Sequence, residues 1–331
     1  MIFVIKRLSD LIFLSFILFI LVIAGCGDKK EESSRLYSDS LCDNYGTLPI
    51  RTVQPVTQSL KCEDGIELTF QQGEVTRYAC LNYPDQAETH DYKWPLIIYL
   101  HGSLVTPESL YGDGKDFFEL RNESHLSDDP NVKGFIILSP EGRIAIPYQA
   151  NDPATGEGFH WDEWYRNSEK NLDALAIDHF LDTLISMGKV DERRIYVYGW
   201  SNGAFMAALY GTWRSDRIAA IGQYAGANPW VRPPCPVELT YDRQVPLFLI
   251  RNRCDKLVPC SETNEWIDTL TARNWPFKYH SLDAAGYITE DNSCSDLKGC
   301  TGDLGLAEHF RWPRKEPFEK MLEFFKLNLL Y

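Results

Sequence analysis

The stretch Arg194-Ile-Tyr-Val-Tyr-Gly-Trp-Ser-Asn-Gly-Ala-Phe-Met-Ala-Ala-Leu-Tyr210 decides the fold. Residues 195–198 are β-branched and aromatic, the composition of a buried strand. Residues 204–209 are mostly good helix formers. Between them stands Gly199-Trp-Ser-Asn-Gly203. A bare G-x-S-x-G occurs often by chance, and a serine in an ordinary strand-to-helix turn would look the same. Set between a strand and a helix, the pattern reads as a nucleophile elbow with Ser201 at the tip of a sharp, strained turn. Gly199 and Gly203 lack the β-carbons that would collide where strand and helix pass closely. The helix then starts at the nucleophile, and its dipole favours negative charge developing there.

Outward from the elbow, strands and helices alternate. Residues 66–70 and 75–81 alternate in polarity like an antiparallel hairpin. Residues 96–100 and 135–138 are continuous apolar runs, as expected of strands buried on both faces. Apolar residues recur at helical spacing over 172–187, and 219–224 and 246–250 read as further strands. Trp266, Ile267 and Leu270 mark another helix, 277–282 a last strand and 318–330 an amphipathic closing helix. This order predicts an α/β fold: a mostly parallel sheet with an N-terminal antiparallel hairpin and helices on both faces. No internal repeat is visible, and residues 48–331 have the size of one large α/β domain.

The start of the chain reads differently. Lys6 and Arg7 precede an apolar run over 11–24 that is short for a bilayer span and suits a signal peptide. It ends in Ile23-Ala-Gly-Cys26, which resembles a bacterial lipobox, so residues 1–25 are expected to be removed and Cys26 lipidated. An uncleaved anchor helix is the other reading. Gly27 after the cysteine implies, by that resemblance, an outer-membrane or cell-surface location. Residues 26–47 are polar and charged and read as a tether. The chain carries a formal charge of −14, which argues against nucleic acid as a partner.

Apart from Cys26 there are eight cysteines, an even number that suits disulfides in an exported chain. Cys294 and Cys300 enclose a short loop and are expected to pair. Cys254 is expected to bridge to Cys260 across the turn carrying Asp255, with Cys235 as the alternative partner. There is no C-x-x-C pair and no histidine at ligand spacing, so neither metal nor cofactor is expected.

A serine hydroxyl needs a base to take its proton, and the base needs an orienting acid. Asp255, just past the 246–250 strand, fits the acid; Asp283 is the rival, and a loop carboxylate satisfied by Arg251 or Arg253 is the bland alternative. His280 and His309 follow it. His280 falls within a strand, whereas His309 lies in a loop before the closing helix, where catalytic groups gather. Backbone donors for an oxyanion are expected from Asn202, at the helix start, and from Ser103 in Leu100-His-Gly-Ser-Leu104, with Leu104 as the fallback. His101 is read as a structural bond to loop backbone. His160, Trp161, Trp164 and Tyr165, with Trp312 and Trp230, could form an aromatic platform for a flat ring, although such clusters are more often packing.

Pro95-Leu-Ile-Ile-Tyr-Leu-His-Gly102, Ser139-Pro-Glu-Gly142, Gly199-Trp-Ser-Asn-Gly-Ala204, Asp255 followed by Val258-Pro259, and His309 before Trp312-Pro313 occur in this order. Over about 75–330 the chain resembles the secreted α/β-hydrolase esterases related to polyhydroxybutyrate depolymerases and feruloyl or acetylxylan esterases. The resemblance implies Ser201, Asp255 and His309 as the triad of a serine esterase, Ser103 and Asn202 as oxyanion donors, and an ester substrate of small or polymeric kind. Feruloyl or acetyl esters on polysaccharide are ranked above polyester. A peptidase of the same fold and a non-catalytic polysaccharide-binding lipoprotein remain as alternatives. The 158–165 region lacks the paired cysteines associated with many members, and 294–300 adds a loop before His309, so both bear on substrate choice.

Overall fold

Along the central strands, alternate side chains bury against opposite faces of one sheet. The computed structural model describes residues 59–73, 75–142, 159–232, 236–292, 300 and 306–331. The expected signal peptide, Cys26 and the tether lie outside the described residues, as do Cys42, Cys235 and Cys294. The strands are β1 (Ile66–Gln72), β2 (Val75–Asn82), β3 (Trp94–Leu100), β4 (Ile136–Pro140), β5 (Val190–Trp200), β6 (Ala220–Tyr224), β7 (Leu247–Asn252) and β8 (Phe277–Leu282). The helices are α1 (Lys115–Glu123), α2 (Leu172–Ser186), α3 (Asn202–Trp213), α4 (Cys260–Ala272), α5 (Leu306–His309) and α6 (Lys315–Leu327).

The sheet order is β1-β2-β4-β3-β5-β6-β7-β8. β2 runs antiparallel to both β1 and β4, and every pair from β4 to β8 is parallel. The expected hairpin and parallel sheet are therefore both present. From β3 the chain crosses one way to β4, and from β5 it proceeds the other way to β6. The carboxyl ends of β3 and β5 thus flank a topological switch point, where open α/β sheets bind their ligands.

Leu96, Ile98, Leu100, Ile195 and Val197 pack on one face, against Ile177 and Phe180 of α2, Met206 of α3 and Trp266 of α4. Ile97, Tyr99, Tyr196, Tyr198 and Trp200 pack on the other, against Phe117 of α1 and Phe318, Met321 and Phe325 of α6. Each such side chain contributes roughly 1.5–3 kcal/mol when fully buried. α1 escapes the sequence reading because only Phe117, Phe118 and Leu120 carry its apolar signal in nine residues. Among the described residues no helix is long and apolar enough to cross a membrane.

Candidate active site

At the end of β5 the chain turns through Ser201 at φ 54°, ψ −123°, a backbone conformation that a non-glycine residue holds only when its surroundings impose it. The surroundings do so from both sides. The Ser201 amide donates to the Tyr224 carbonyl at 2.9 Å, and the Ser201 carbonyl accepts from Ala204 N–H at 2.8 Å, starting α3. A β-carbon on Gly199 would lie 2.0 Å from the Gly203 carbonyl oxygen, and one on Gly203 would lie 2.1 Å from that of Leu100. The two glycines therefore let α3 start hard against the ends of β5 and β3.

The structure brings the three expected groups together. The Ser201 hydroxyl donates to His309 Nε2 at 2.8 Å, and His309 Nδ1–H donates to Asp255 Oδ2 at 2.7 Å. The other carboxylate oxygen, Asp255 Oδ1, accepts from the amides of Leu257 at 2.8 Å and Val258 at 3.0 Å. Both lone-pair faces of the acid are thus committed, and His309 and Asp255 are buried. The rivals lie elsewhere. Asp283 Oδ1 closes its own turn by accepting from Ala285 and Tyr287 N–H. His280 sits on β8 against Phe248. Arg251 bonds Ser281 and Asn264 rather than Asp255.

His309 ends the short helix α5 rather than lying in an open loop. Two buried aromatic side chains hold the backbone there. Trp200 Nε1–H donates to the His309 carbonyl at 3.3 Å, and the Tyr224 hydroxyl donates to the Arg311 carbonyl. Tyr224 thereby touches the nucleophile turn with its carbonyl and the base segment with its hydroxyl. Sequence reading passed over both roles, because nothing local marks a carbonyl more than eighty residues away as the partner.

On the β3 side, the Leu104 amide donates to the Phe159 carbonyl at 2.9 Å, with Leu104 itself at φ 66°. The fallback donor is therefore engaged. The Ser103 and Asn202 amides donate to no backbone carbonyl among the described residues. His101 is structural, as expected: Nδ1–H donates to the Gly102 carbonyl at 2.7 Å, and Nε2 accepts from Gly142 N–H at 2.9 Å. Burial pushes its pKa down to about 4, so the ring stays neutral and can accept that bond. The bond also explains the Ser139-Pro-Glu-Gly142 run, which buttresses the β3 loop.

Packing, not a platform, accounts for most of the aromatic set. Trp161 is fully buried, its indole N–H donating to the His101 carbonyl and its amide to Asn202 Oδ1. Trp312 packs in the core on Trp200, and Trp230 on Trp266. His160 is buried as well, while Trp164 and Tyr165 are half-buried. The 159–165 loop instead supports the nucleophile helix. Its own support is a buried ion pair: Arg77 Nη2 meets Asp173 Oδ1 at 2.6 Å, and Asp173 Oδ2 accepts from Asp162 N–H at 2.7 Å. Glu163 is buried on the same loop; burial raises its carboxyl pKa, and Arg232 at 3.2 Å works against that rise.

The cysteine expectations need correction. Cys254 bridges Cys300, with Cα atoms 5.4 Å apart, so neither the Cys254–Cys260 nor the Cys235–Cys254 bridge exists, and Cys294 does not pair with Cys300. Short spacing misled here, since the bridge spans 46 residues to tie the acid turn to the segment before His309. Cys62 pairs with Cys80, and Cys260 is also disulfide-bonded, to a cysteine outside the described residues. Replacing Cys254 and Cys300 together by Ala should lower unfolding free energy by about 2–4 kcal/mol, from the closure entropy of that loop. Denaturant titration of the two oxidised proteins measures it, and a loss below about 0.5 kcal/mol would refute the bracing role.

No protein-family profile matches the chain. An uncharacterized hydrolase of Acanthamoeba polyphaga mimivirus is 23% identical over 235 residues, covering 65% of this chain and 71% of that protein. A thermostable esterase superposes with a TM-score of 0.50 at 16% identity, covering 81% of this chain. The chain spans only 64% of that esterase's length. A ferulic acid esterase of the anaerobic fungus Anaeromyces mucronatus gives the same TM-score and identity over 82% of this chain and 96% of its own. Sheet order, elbow and likeness agree: the chain has the α/β-hydrolase fold.

Proposed function

We propose that the protein is a serine esterase. One observation carries the reading: a hydrogen-bonded relay from Ser201 through His309 to Asp255, ending at a serine held at φ 54°. His309 takes the Ser201 proton as Oγ attacks the ester carbonyl, then returns it to the departing alcohol. Asp255 fixes the tautomer with its proton on Nδ1 and stabilises the imidazolium that forms. The developing oxyanion is received by the amides of Asn202 and Ser103, one at the helix start and one across the switch point. A water molecule then repeats the cycle to free the acid.

The substrate we propose is a carboxylic ester outside the cytoplasm, with feruloyl or acetyl groups on polysaccharide ranked above polyester. The lipobox-like start, with Cys26 as lipid anchor, supports the location, and the sequence resemblance supports the ester class. The test is fluorophosphonate labelling together with a panel of methyl ferulate, acetylated xylan, hydroxybutyrate oligomers and a prolyl peptide amide. Labelling at Ser201 with hydrolysis of the esters is expected. Cleavage of the amide alone would make the protein a peptidase, and best cleavage of hydroxybutyrate oligomers would replace the polysaccharide ranking.

A further inference from the structure

Three large apolar side chains stay exposed beside the site: Leu104 at 47%, Leu257 at 45% and Phe310 at 45%. Isolated exposed apolar residues are ordinary. These three differ because each neighbours a site residue in sequence, on the three segments that carry the β3-side donor, the acid and the base. Leu104 follows Ser103, Leu257 lies two residues beyond Asp255, and Phe310 follows His309.

Each is also held in place by backbone hydrogen bonds. The Leu104 amide is fixed on the Phe159 carbonyl, and the Leu257 amide on Asp255 Oδ1. The carbonyls on either side of Phe310 are clamped by Trp200 and Tyr224. The Phe310 ring stands edge-on to the His309 imidazole at 5.4 Å and to Trp200 at 5.9 Å. An exposed ring on a rigid backbone loses little further freedom when a ligand covers it, which is the property of a binding surface.

We infer that Phe310, with Leu104 and Leu257, is a specificity-determining collar that takes the apolar part of the ester. The preferred substrates then carry a hydrocarbon chain or ring next to the scissile carbonyl rather than a bare acetyl group. This rests on the esterase reading and narrows it. Methylenes in such a pocket discriminate by binding, so the preference resides chiefly in KM.

The experiment measures kcat and KM of the full chain on 4-nitrophenyl acetate, butyrate and hexanoate. For the unaltered protein, kcat/KM should rise at least about tenfold from acetate to hexanoate. Phe310→Ala should cut that rise to about threefold or less, and Phe310→Leu should keep most of it. A flat or falling series, with acetate still hydrolysed, overturns the collar and leaves the esterase intact. So does a full rise in Phe310→Ala. Failure to hydrolyse any ester, with no fluorophosphonate labelling, sinks both.

Discussion

Ser201→Ala should lower ester hydrolysis by at least about a thousand-fold, to the residual rate that the oxyanion donors and binding alone support, and abolish fluorophosphonate labelling, with the fold intact. His309→Ala and Asp255→Asn should each lower kcat by about a thousand-fold or more, because triad members act as a unit. The Asp255→Asn case follows from the two oxygens having different partners. Oδ1 accepts from the Leu257 and Val258 amides, so an asparagine must point its carbonyl there. Its NH2 group then faces His309 Nδ1, which must become the acceptor. The ring proton moves to Nε2, opposite the Ser201 hydroxyl, and the base is lost without disturbing the turn. Steady-state kinetics on a short-chain ester measures this. Retention of more than a tenth of the turnover in Asp255→Asn would sink the assignment of the acid.

Asp173→Ala should destabilise the protein by about 3–5 kcal/mol, the effect of leaving one partner of a buried ion pair uncompensated. Arg77 and Asp173 are 3% and 0% exposed, so water cannot replace the lost carboxylate. Arg77 retains bonds to Gln72 Oε1 and to the Leu172 and Glu141 carbonyls, which leave the Nη2 hydrogen that met Asp173 without its partner and the charge uncompensated. Replacing Arg77 by Met in the same chain should recover a substantial part of the loss. Thermal melting should show a fall in Tm of about 10 °C for the single variant. A fall under about 2 °C would mean that the charge finds solvent. Activity should fall as well, because the Asp162 amide loses its acceptor and the loop it belongs to holds Asn202 through Trp161.

The parts of this structure legible in the sequence are those written locally. The elbow follows from five consecutive residues, and the strands from apolar runs that bury on both faces. Ser201, Asp255 and His309 could be named because chain order along a parallel sheet places each at the same edge. What escaped depends on contacts between distant residues. A tryptophan reads alike whether it lines a pocket or fills a core, so Trp161 and Trp312 suggest a platform, whereas the ring that stands exposed next to His309 is that of Phe310. The bridge from Cys254 to Cys300 was missed because spacing favours near neighbours, while the fold brings the acid turn and the base segment together. Arg77 and Asp173 sit in a strand and at a helix start, and neither position hints at the other.

The parallel arrangement from β4 to β8 has a consequence for how activity arises. His309 lies 108 residues beyond Ser201 and 54 beyond Asp255, so no local segment contains two members of the relay. The elbow closes once β5, α3 and the Tyr224 carbonyl at the end of β6 have met. Its serine stays unassisted until β6, β7 and β8 have added in register and the chain has returned to lay His309 against Trp200. Parallel pairings of such separation form slowly, because each must close a long loop before gaining contacts. Regained hydrolysis therefore reports the last docking event, and a chain with native-like helix content but an unfinished edge stays silent.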